Sequence, residues 1–225
     1  MSPGPDAMAF VMQVLGHGVA TQRMGITFGG RLKIPLGLDS MPANFSATHG
    51  LHTYHDSSYN RELRPFGGYA VMHNNGVLDY KAGSTKLLPD STCEAEAIWG
   101  SKGAKATVAA RTSLEDMGIG ATGPTPLLGD NKALNDLVKK PGATARTKYY
   151  ERAVLIVKRL YTLLVVSPFL VLTKFMVADI FTKALDRDAF ITFRDYMLNV
   201  ENGPEPYARG KAGRLLDKLM NALHK

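Results

Sequence analysis

The chain has 225 residues, of which 45% are hydrophobic and 21% are charged, and its formal net charge is +7. This composition is typical of a globular protein, and the length suffices for one domain with its own core plus extra segments at the ends. The single cysteine, Cys93, excludes an internal disulfide and fits a reducing, intracellular compartment.

Neither a secretory signal nor a membrane span is predicted. The first residues lack a basic region followed by an apolar run. The most apolar stretch, residues 160–172, is interrupted by Pro168 and is shorter than the ~20 residues that a span requires. We predict a buried strand there, with an interfacial helix as the weaker alternative.

Secondary-structure signals are weak before residue 51 and clear after it. Residues 8–16 have the apolar spacing of a helix, and weak strand signals follow at 25–28 and 32–36. The pattern then predicts three strands, at 51–59, 68–73 and 77–82. The sequence Asn74-Asn75-Gly76 has the chemistry of a tight hairpin turn between the last two of them. Three consecutive strands predict an antiparallel meander.

Helices and strands alternate in the second half of the chain. Ser91 and Glu94 have the spacing of a capping box, which predicts a helix from there to about Thr112. The elements predicted after it are a strand at 125–129, a basic helix at 132–139, a second basic helix from near 144–146, an apolar strand within 165–172 and a helix from near Lys174 that contains Asp179. This order predicts an α/β fold with a mixed sheet.

Four acidic residues stand at the ends of predicted elements. Asp56 lies in the first strand, and Glu96 lies in the first turns of the long helix. Asp130 ends the fourth strand, and Asp179 follows the last one. Carboxylates that converge in this way repel one another unless a cation joins them, and oxygen ligands suit magnesium. Ordinary surface charge is the alternative for each of them, because the chain has 20 acidic residues.

Six short segments that contain these and other polar residues occur in order along the chain. They are Tyr54-His55-Asp56-Ser57-Ser58-Tyr59, Gly68-Tyr69-Ala70-Val71, Ser91-Thr92-Cys93-Glu94-Ala95-Glu96-Ala97, Gly129-Asp130-Asn131-Lys132-Ala133, Arg146-Thr147-Lys148-Tyr149 and Ala178-Asp179-Ile180-Phe181-Thr182-Lys183-Ala184-Leu185. The last resembles the Ala-Asp-Ile-Leu-Thr-Lys-Pro-Leu signature near the end of copia-type retrotransposon polyproteins. The others resemble motifs of the ribonuclease H region of that family.

The resemblance implies a fold and a reaction. The fold would be ribonuclease H-like, with a mixed five-stranded sheet whose first three strands are antiparallel and with helices on its faces. The reaction would be hydrolysis of the RNA strand of an RNA–DNA hybrid. Asp56, Glu96, Asp130 and Asp179 would be the catalytic residues and the ligands of Mg²⁺ or Mn²⁺, with two ions expected. Glu96 is preferred to Glu94 as the ligand, because Glu94 has a sufficient role in the capping box.

Partners and boundaries follow from the same resemblance and from the charge. Residues 131–160 hold eight basic residues against Asp136 and Glu151, so nucleic-acid phosphates are expected to bind there, a solvated helix face being the alternative. The expected contacts are Lys132, Lys139, Lys140, Arg146, Lys148 and Lys183. Residues 1–50 would be the remnant of an upstream reverse transcriptase segment, residues 51–200 the ribonuclease H-like domain, and residues 201–225 a linker with a basic amphipathic helix at 208–224.

The chain also departs from the family pattern. Ser58 and Tyr59 stand where the family has Asp and Trp, and apolar residues precede Asp179. These departures leave open a catalytically decayed remnant that binds nucleic acid or serves a structural role. The reverse transcriptase part of the same polyprotein is the expected protein partner, and a cytoplasmic particle and the nucleus are both compatible locations. We interpret the chain as a carboxy-terminal fragment or a degenerate reading frame. His52 and His55 are interpreted as strand-face or solvent-facing side chains and not as metal ligands.

Overall fold

A computed structural model of the chain describes residues 24–59, 65–85, 88–140 and 151–200. The chain divides into two units, and every element below lies in the unit Ile26–Asn199. The strands are β1 (His52–Ser58), β2 (Phe66–His73), β3 (Gly76–Ser84), β4 (Thr125–Gly129) and β5 (Val166–Leu170); the helices are α1 (Thr92–Asp116), α2 (Lys132–Lys139), α3 (Glu151–Thr162) and α4 (Arg187–Leu198). Three short 3-10 helices span Ser46–Thr48, Thr173–Phe175 and Val177–Phe181.

The five strands form one mixed sheet in the order β3-β2-β1-β4-β5. The β1–β2 and β2–β3 pairs are antiparallel, and the β1–β4 and β4–β5 pairs are parallel. The predicted fold class, a mixed five-stranded sheet whose first three strands are antiparallel, is confirmed. The parallel pairs require crossovers, which α1 and the α2–α3 segment supply.

The predicted hairpin turn is confirmed by its backbone. Asn74 and Asn75 have φ angles of 48° and 69°, the left-handed values that a two-residue turn of this kind needs and that asparagine tolerates. The side chain of Asn75 also binds the segment before β1. It donates to the carbonyls of Gly29 and Arg31 and accepts from the backbone N–H of Lys33.

Hydrophobic side chains cover both faces of the sheet. Tyr54, Met72 and Leu128 pack with Met176 and Phe193 on one face. On the other face, α1 contributes Trp99 and Leu114, while further clusters form among residues of β4, α2, α3 and β5. Strand β1 is buried along almost its whole length. Its polar residues His55 and Asp56 are therefore held inside the molecule.

Several element predictions require correction. Residues 25–28 and 32–36 form no strand, because their backbone groups bond to Asn75 and to neighbouring segments in place of a sheet ladder. The helix predicted from Lys174 is replaced by two 3-10 helices, because Met176 between them is extended and fully buried. Helix α1 continues to Asp116, beyond the predicted Thr112, because Leu114 is buried in the core.

Some predictions fall on residues outside the described ranges. These are the helices at 8–16 and 208–224, the linker at 203–206 and the start of the second basic helix near 144–146. Within the described ranges, no helix is both long enough and apolar enough to cross a lipid bilayer.

Candidate metal centre

Two carboxylates lie at the carboxyl ends of neighbouring parallel strands. Tyr54 of β1 is level with Leu128 of β4 in the parallel register. Each strand places an aspartate two residues further on, Asp56 within β1 and Asp130 directly after β4. Because side chains two residues apart on a strand share a face, the two carboxylates meet at the same edge of the sheet.

The third carboxylate comes from the first turns of α1. The backbone N–H and the hydroxyl of Ser57 donate to Glu96 Oε1 at 3.0 and 3.1 Å. The second oxygen, Glu96 Oε2, has no hydrogen-bond partner among the residues that the structure describes, and His55 Nδ1 lies 3.6 Å from it. Glu96 is only 4% exposed, so one of its oxygens is buried and free to bind a cation.

These three carboxylates form a compact ligand set. Asp56, Glu96 and Asp130 each offer one oxygen, and the three oxygens lie within 4.8 Å of one another. Burial raises the pKa of Glu96; His55 opposes the rise, and the charges of Asp56 and Asp130 add to it. A hard divalent cation would remove this repulsion, and an all-oxygen set with a buried free oxygen fits Mg²⁺ or Mn²⁺.

Further hydroxyl groups orient the two aspartates. Thr173 Oγ1 donates to Asp130 Oδ2 at 2.9 Å, and Thr182 Oγ1 donates to Asp56 Oδ2. Sequence analysis missed Ser57, Thr173 and Thr182 as partners of the carboxylates. Ser57 and Thr182 lie inside the quoted motifs, next to Asp56 and Lys183 respectively. This adjacency was the only feature of the sequence that could have indicated their role. Thr173 lies outside every quoted motif, so no pattern in the sequence indicated it.

Asp179, the fourth predicted acid, lies in the 3-10 helix Val177–Phe181 and is 4% exposed. Lys183 Nζ donates to Asp179 Oδ1 at 2.7 Å and lies 3.7 Å from Asp56 Oδ2. The structure thus brings Asp179 close to Asp56, with the ammonium group of Lys183 near both. The triad that lies within 4.8 Å does not include it.

The environment changes the acidity of this pair. Burial raises the pKa of Asp179 from 3.8 to about 7; the hydrogen bond from Lys183 opposes the rise, and the charge of Asp56 adds to it. Burial lowers the pKa of Lys183, but its hydrogen bond to Asp179 and the charges of Asp56, Asp179 and Asp130 outweigh this, so the net direction is upward. The ammonium of Lys183 is therefore held in its charged form by the surrounding carboxylates.

His55 is enclosed by glycines beside the site. A Cβ atom on Gly129 would lie 2.8 Å from atoms of its ring, and one on Gly100 would lie 3.1 Å away. The ring is 2% exposed and faces Glu96. His55 is therefore a strand-face residue on the α1 side of β1, with its Nδ1 3.6 Å from Glu96 Oε2.

The basic residues predicted to bind phosphates lie in different places. Lys132, Lys139 and Lys140 are exposed on α2 and at its end. Arg146 and Lys148 fall outside the described residues. Lys183 is bonded to Asp179, and its phosphate contact stays a prediction. Helix α2 begins at Lys132, two residues after Asp130, and Asn131 caps it by accepting from the backbone N–H of Leu134 at 3.0 Å.

Comparison with known proteins gives structural likenesses only. No protein-family model matches the chain, and no curated protein sequence matches it. The chain is similar to RNase H1 from the halophilic archaeon Halobacterium salinarum, at 16% identity over 63% of this chain and 98% of the archaeal one, with a TM-score of 0.40.

Two further solved structures are similar. One is the N-terminal RNase H domain of a Mycobacterium tuberculosis protein, as a fusion with maltose-binding protein; identity is 11% over 64% of this chain and 96% of that one, with a TM-score of 0.41. The other is a foamy viral protease–reverse transcriptase in complex with double-stranded DNA, at 8% identity over 92% of this chain and 29% of that one, with a TM-score of 0.32.

Proposed function

We propose that the chain is a metal-dependent nuclease that hydrolyses the RNA strand of RNA–DNA hybrids and derives from a copia-type retrotransposon polyprotein. The observation that carries the proposal is the meeting of Asp56, Glu96 and Asp130 within 4.8 Å, with one buried oxygen of Glu96 left without a hydrogen bond. The six motifs quoted above support the same assignment from the sequence alone.

The three carboxylates would hold the divalent cation, and Asp179 would complete the acidic set from the neighbouring 3-10 helix. When bound, the cation supplies positive charge that offsets the negative charge developing on the scissile phosphate. Ser57 and Thr173 keep the oxygens of Glu96 and Asp130 oriented through the hydrogen bonds at 3.0, 3.1 and 2.9 Å. Such supporting bonds hold the ligands in place before the substrate arrives.

The substrate would be placed by phosphate contacts and selected through its shape. Lys132 follows Asp130 by two positions at the start of α2, and the exposed Lys139 and Lys140 lie at the other end of that helix. Contacts to the 2′-hydroxyl groups and to the form of the hybrid would distinguish RNA from DNA. The upstream reverse transcriptase of the same polyprotein is the protein partner that this origin implies.

The test is cleavage of an end-labelled hybrid duplex by the full chain in Mg²⁺. We expect cuts in the RNA strand of the hybrid, none in DNA duplex of the same sequence, and none in the presence of EDTA. Asp130→Asn should reduce the rate by about 100-fold or more, since removing a group that stabilises transition-state charge has effects of this size. Asp136→Asn is the matched control, because Asp136 is exposed on α2.

Two results would contradict the proposal. If the wild-type chain binds the hybrid without cutting it, the decayed, nucleic-acid-binding remnant is the correct interpretation. If the Asp130→Asn variant cuts as fast as the Asp136→Asn variant, the assignment of the site is wrong.

A further inference from the structure

The ammonium of Lys183 lies close to two of the four carboxylates. Its Nζ lies 2.7 Å from Asp179 Oδ1 and 3.7 Å from Asp56 Oδ2. Lys183 is 36% exposed, whereas the side chains of Asp56 and Asp179 are 2% and 5% exposed. The charged end of the lysine therefore contacts buried carboxylates and does not extend into solvent.

The backbone fixes this arrangement. The N–H groups of Thr182 and Lys183 both donate to the carbonyl of Asp179 at 3.0 Å, which closes a turn. The turn brings both side chains back to the carboxylates, because Thr182 Oγ1 donates to Asp56 Oδ2 while Lys183 donates to Asp179. Oxygen Oδ2 of Asp56 thus has a hydroxyl donor and an ammonium group close to it.

The two sides of the carboxylate cluster are therefore unequal. Among the described residues, no lysine or arginine is bonded to Glu96 or Asp130, and Glu96 Oε2 lacks a hydrogen bond, with His55 Nδ1 3.6 Å from it. Beside Asp56 and Asp179 the ammonium of Lys183 is already present, and its charge would repel a second cation at the same place.

We infer that Lys183 fills the second cation position of this centre, so that the protein without nucleic acid binds one divalent ion, held by Asp56, Glu96 and Asp130. This inference rests on the proposed metal centre and refines it, since the sequence predicts two ions. Lys183 acts here as a charge placed by the turn at Asp179 and not as a ligand.

The test is a calorimetric titration of the full chain with Mn²⁺ alone, without nucleic acid. We expect the wild type to bind about one ion and Lys183→Met to bind about two, because removal of the ammonium leaves Asp56 and Asp179 with uncompensated negative charge. Lys183→Arg keeps the charge and should bind one ion. Lys105→Met is the matched control, since Lys105 is exposed on α1, roughly two and a half turns beyond Glu96.

Each outcome is decisive. A wild type that binds two ions, or a Lys183→Met variant that binds one while its far-UV circular dichroism matches the wild type, overturns the role of Lys183 and leaves the metal centre intact. A wild type that binds no Mn²⁺ overturns both the inference and the proposed centre. A Lys183→Arg variant that behaves as Lys183→Met does would show that the charge is not what excludes the second ion.

Discussion

Glu94 and Glu96 lie two residues apart on α1, and their hydrogen bonds show that they have different roles. Glu94 Oε2 accepts from the backbone N–H of Asp90 at 2.8 Å, and the N–H of Glu94 donates to Ser91 Oγ at 3.2 Å. Glu94 thus satisfies backbone groups at the start of the helix. Glu96 accepts from Ser57 across the sheet and keeps one oxygen free.

This difference makes the two glutamates a matched pair. We expect Glu96→Gln to weaken Mn²⁺ binding by about 100-fold or more, since losses of 10- to 100-fold are typical even for residues that only support a ligand. In EDTA the same variant should be at least as stable as the wild type, because a buried charge beside two aspartates is removed. Calorimetry and urea denaturation measure the two effects.

Glu94→Gln is the control for that experiment. Its amide oxygen can still accept from Asp90, so Mn²⁺ affinity should be unchanged. Equal losses of affinity in the two variants would contradict the assignment of Glu96 as the ligand.

His52 lies away from the carboxylates, and its protonation makes the free energy of unfolding depend on pH. Its Nδ1 donates to the carbonyl of Gly50 at 2.7 Å, so Nε2 is left to accept from the hydroxyl of Tyr196 at 2.9 Å. Burial lowers the pKa of His52 from 6.5 to about 4, and the bond to Gly50 opposes this. The folded protein therefore holds the neutral ring.

A pH-dependent loss of stability follows. Between pH 6.5 and 4 the unfolded chain takes up a proton at His52 that the folded chain refuses, so this contribution is complete above pH 6.5 and is lost as the pH falls towards 4. Relative to His52→Gln, the free energy of unfolding of the wild type should decrease by up to about 3 kcal/mol over this range. Urea denaturation at each pH measures it.

A parallel profile for the wild type and His52→Gln would contradict the burial of a neutral ring.

At the scale of single residues, the sequence indicated the candidate metal ligands but not the hydroxyl groups that bind and orient them. The four acids stood out from their positions in or next to predicted elements, and Glu94 was recognised from its spacing to Ser91. The contacts of Ser57, Thr173 and Thr182 join segments distant in the chain. No local pattern encodes such contacts, because they depend on the register of the sheet.

At the scale of elements, the packing of β2 on α1 depends on a glycine. A Cβ atom on Gly67 would overlap the ring of Trp99, which is 1% exposed. Gly67 pairs with Gly83 across the β2–β3 ladder, and a Cβ atom on Gly83 would meet nothing within 4 Å. The two glycines are therefore partners in the same strand pair, but only Gly67 is in close contact with another side chain.

We predict that Gly67→Ala lowers the free energy of unfolding by about 1–3 kcal/mol, the usual cost of overpacking. Gly83→Ala should change it by less than about 0.5 kcal/mol, because an added Cβ atom there meets no atom within 4 Å. Urea denaturation followed by Trp99 fluorescence measures both. Equal effects of the two substitutions would contradict the close approach of β2 to α1.

Elements with a strong local pattern were predicted well, and elements shaped by burial were not. Strand β4 and helix α2 match their predicted bounds because Pro, Gly and Asn residues delimit them. The region of Asp179 differs because Met176 and Val177 are fully buried, which interrupts a helix that the spacing alone favours. Burial of Leu114 likewise extends α1 beyond its predicted end.

At the scale of the molecule, the order of elements was sufficient to predict the sheet. Three consecutive strands with a tight turn give the antiparallel half, and the alternation of helices and strands gives the parallel half. The docking of residues 26–50 was not foreseen, because it depends on the side chain of Asn75 and on the bond from the Tyr54 hydroxyl to the Leu36 carbonyl at 2.8 Å.

The uneven charge of the chain predicts how salt affects binding. If Lys139 and Lys140 contact phosphates, replacing both by Ala should reduce the slope of log affinity against log salt by roughly 2, about one for each lost contact. Fluorescence anisotropy with a labelled RNA–DNA hybrid at several salt concentrations measures the slope. Lys105→Ala, on α1, should leave it unchanged, and an unchanged slope in the double variant would exclude α2 from the nucleic-acid interface.

The central claim is that acids from β1, α1 and the end of β4 share one hard cation. The most direct measurement is the anomalous difference map of a crystal of the full chain soaked in Mn²⁺. The account predicts a peak at about 2.2 Å from one oxygen each of Asp56, Glu96 and Asp130. A map without a peak among these three carboxylates, in a crystal where Mn²⁺ has free access to them, would contradict it.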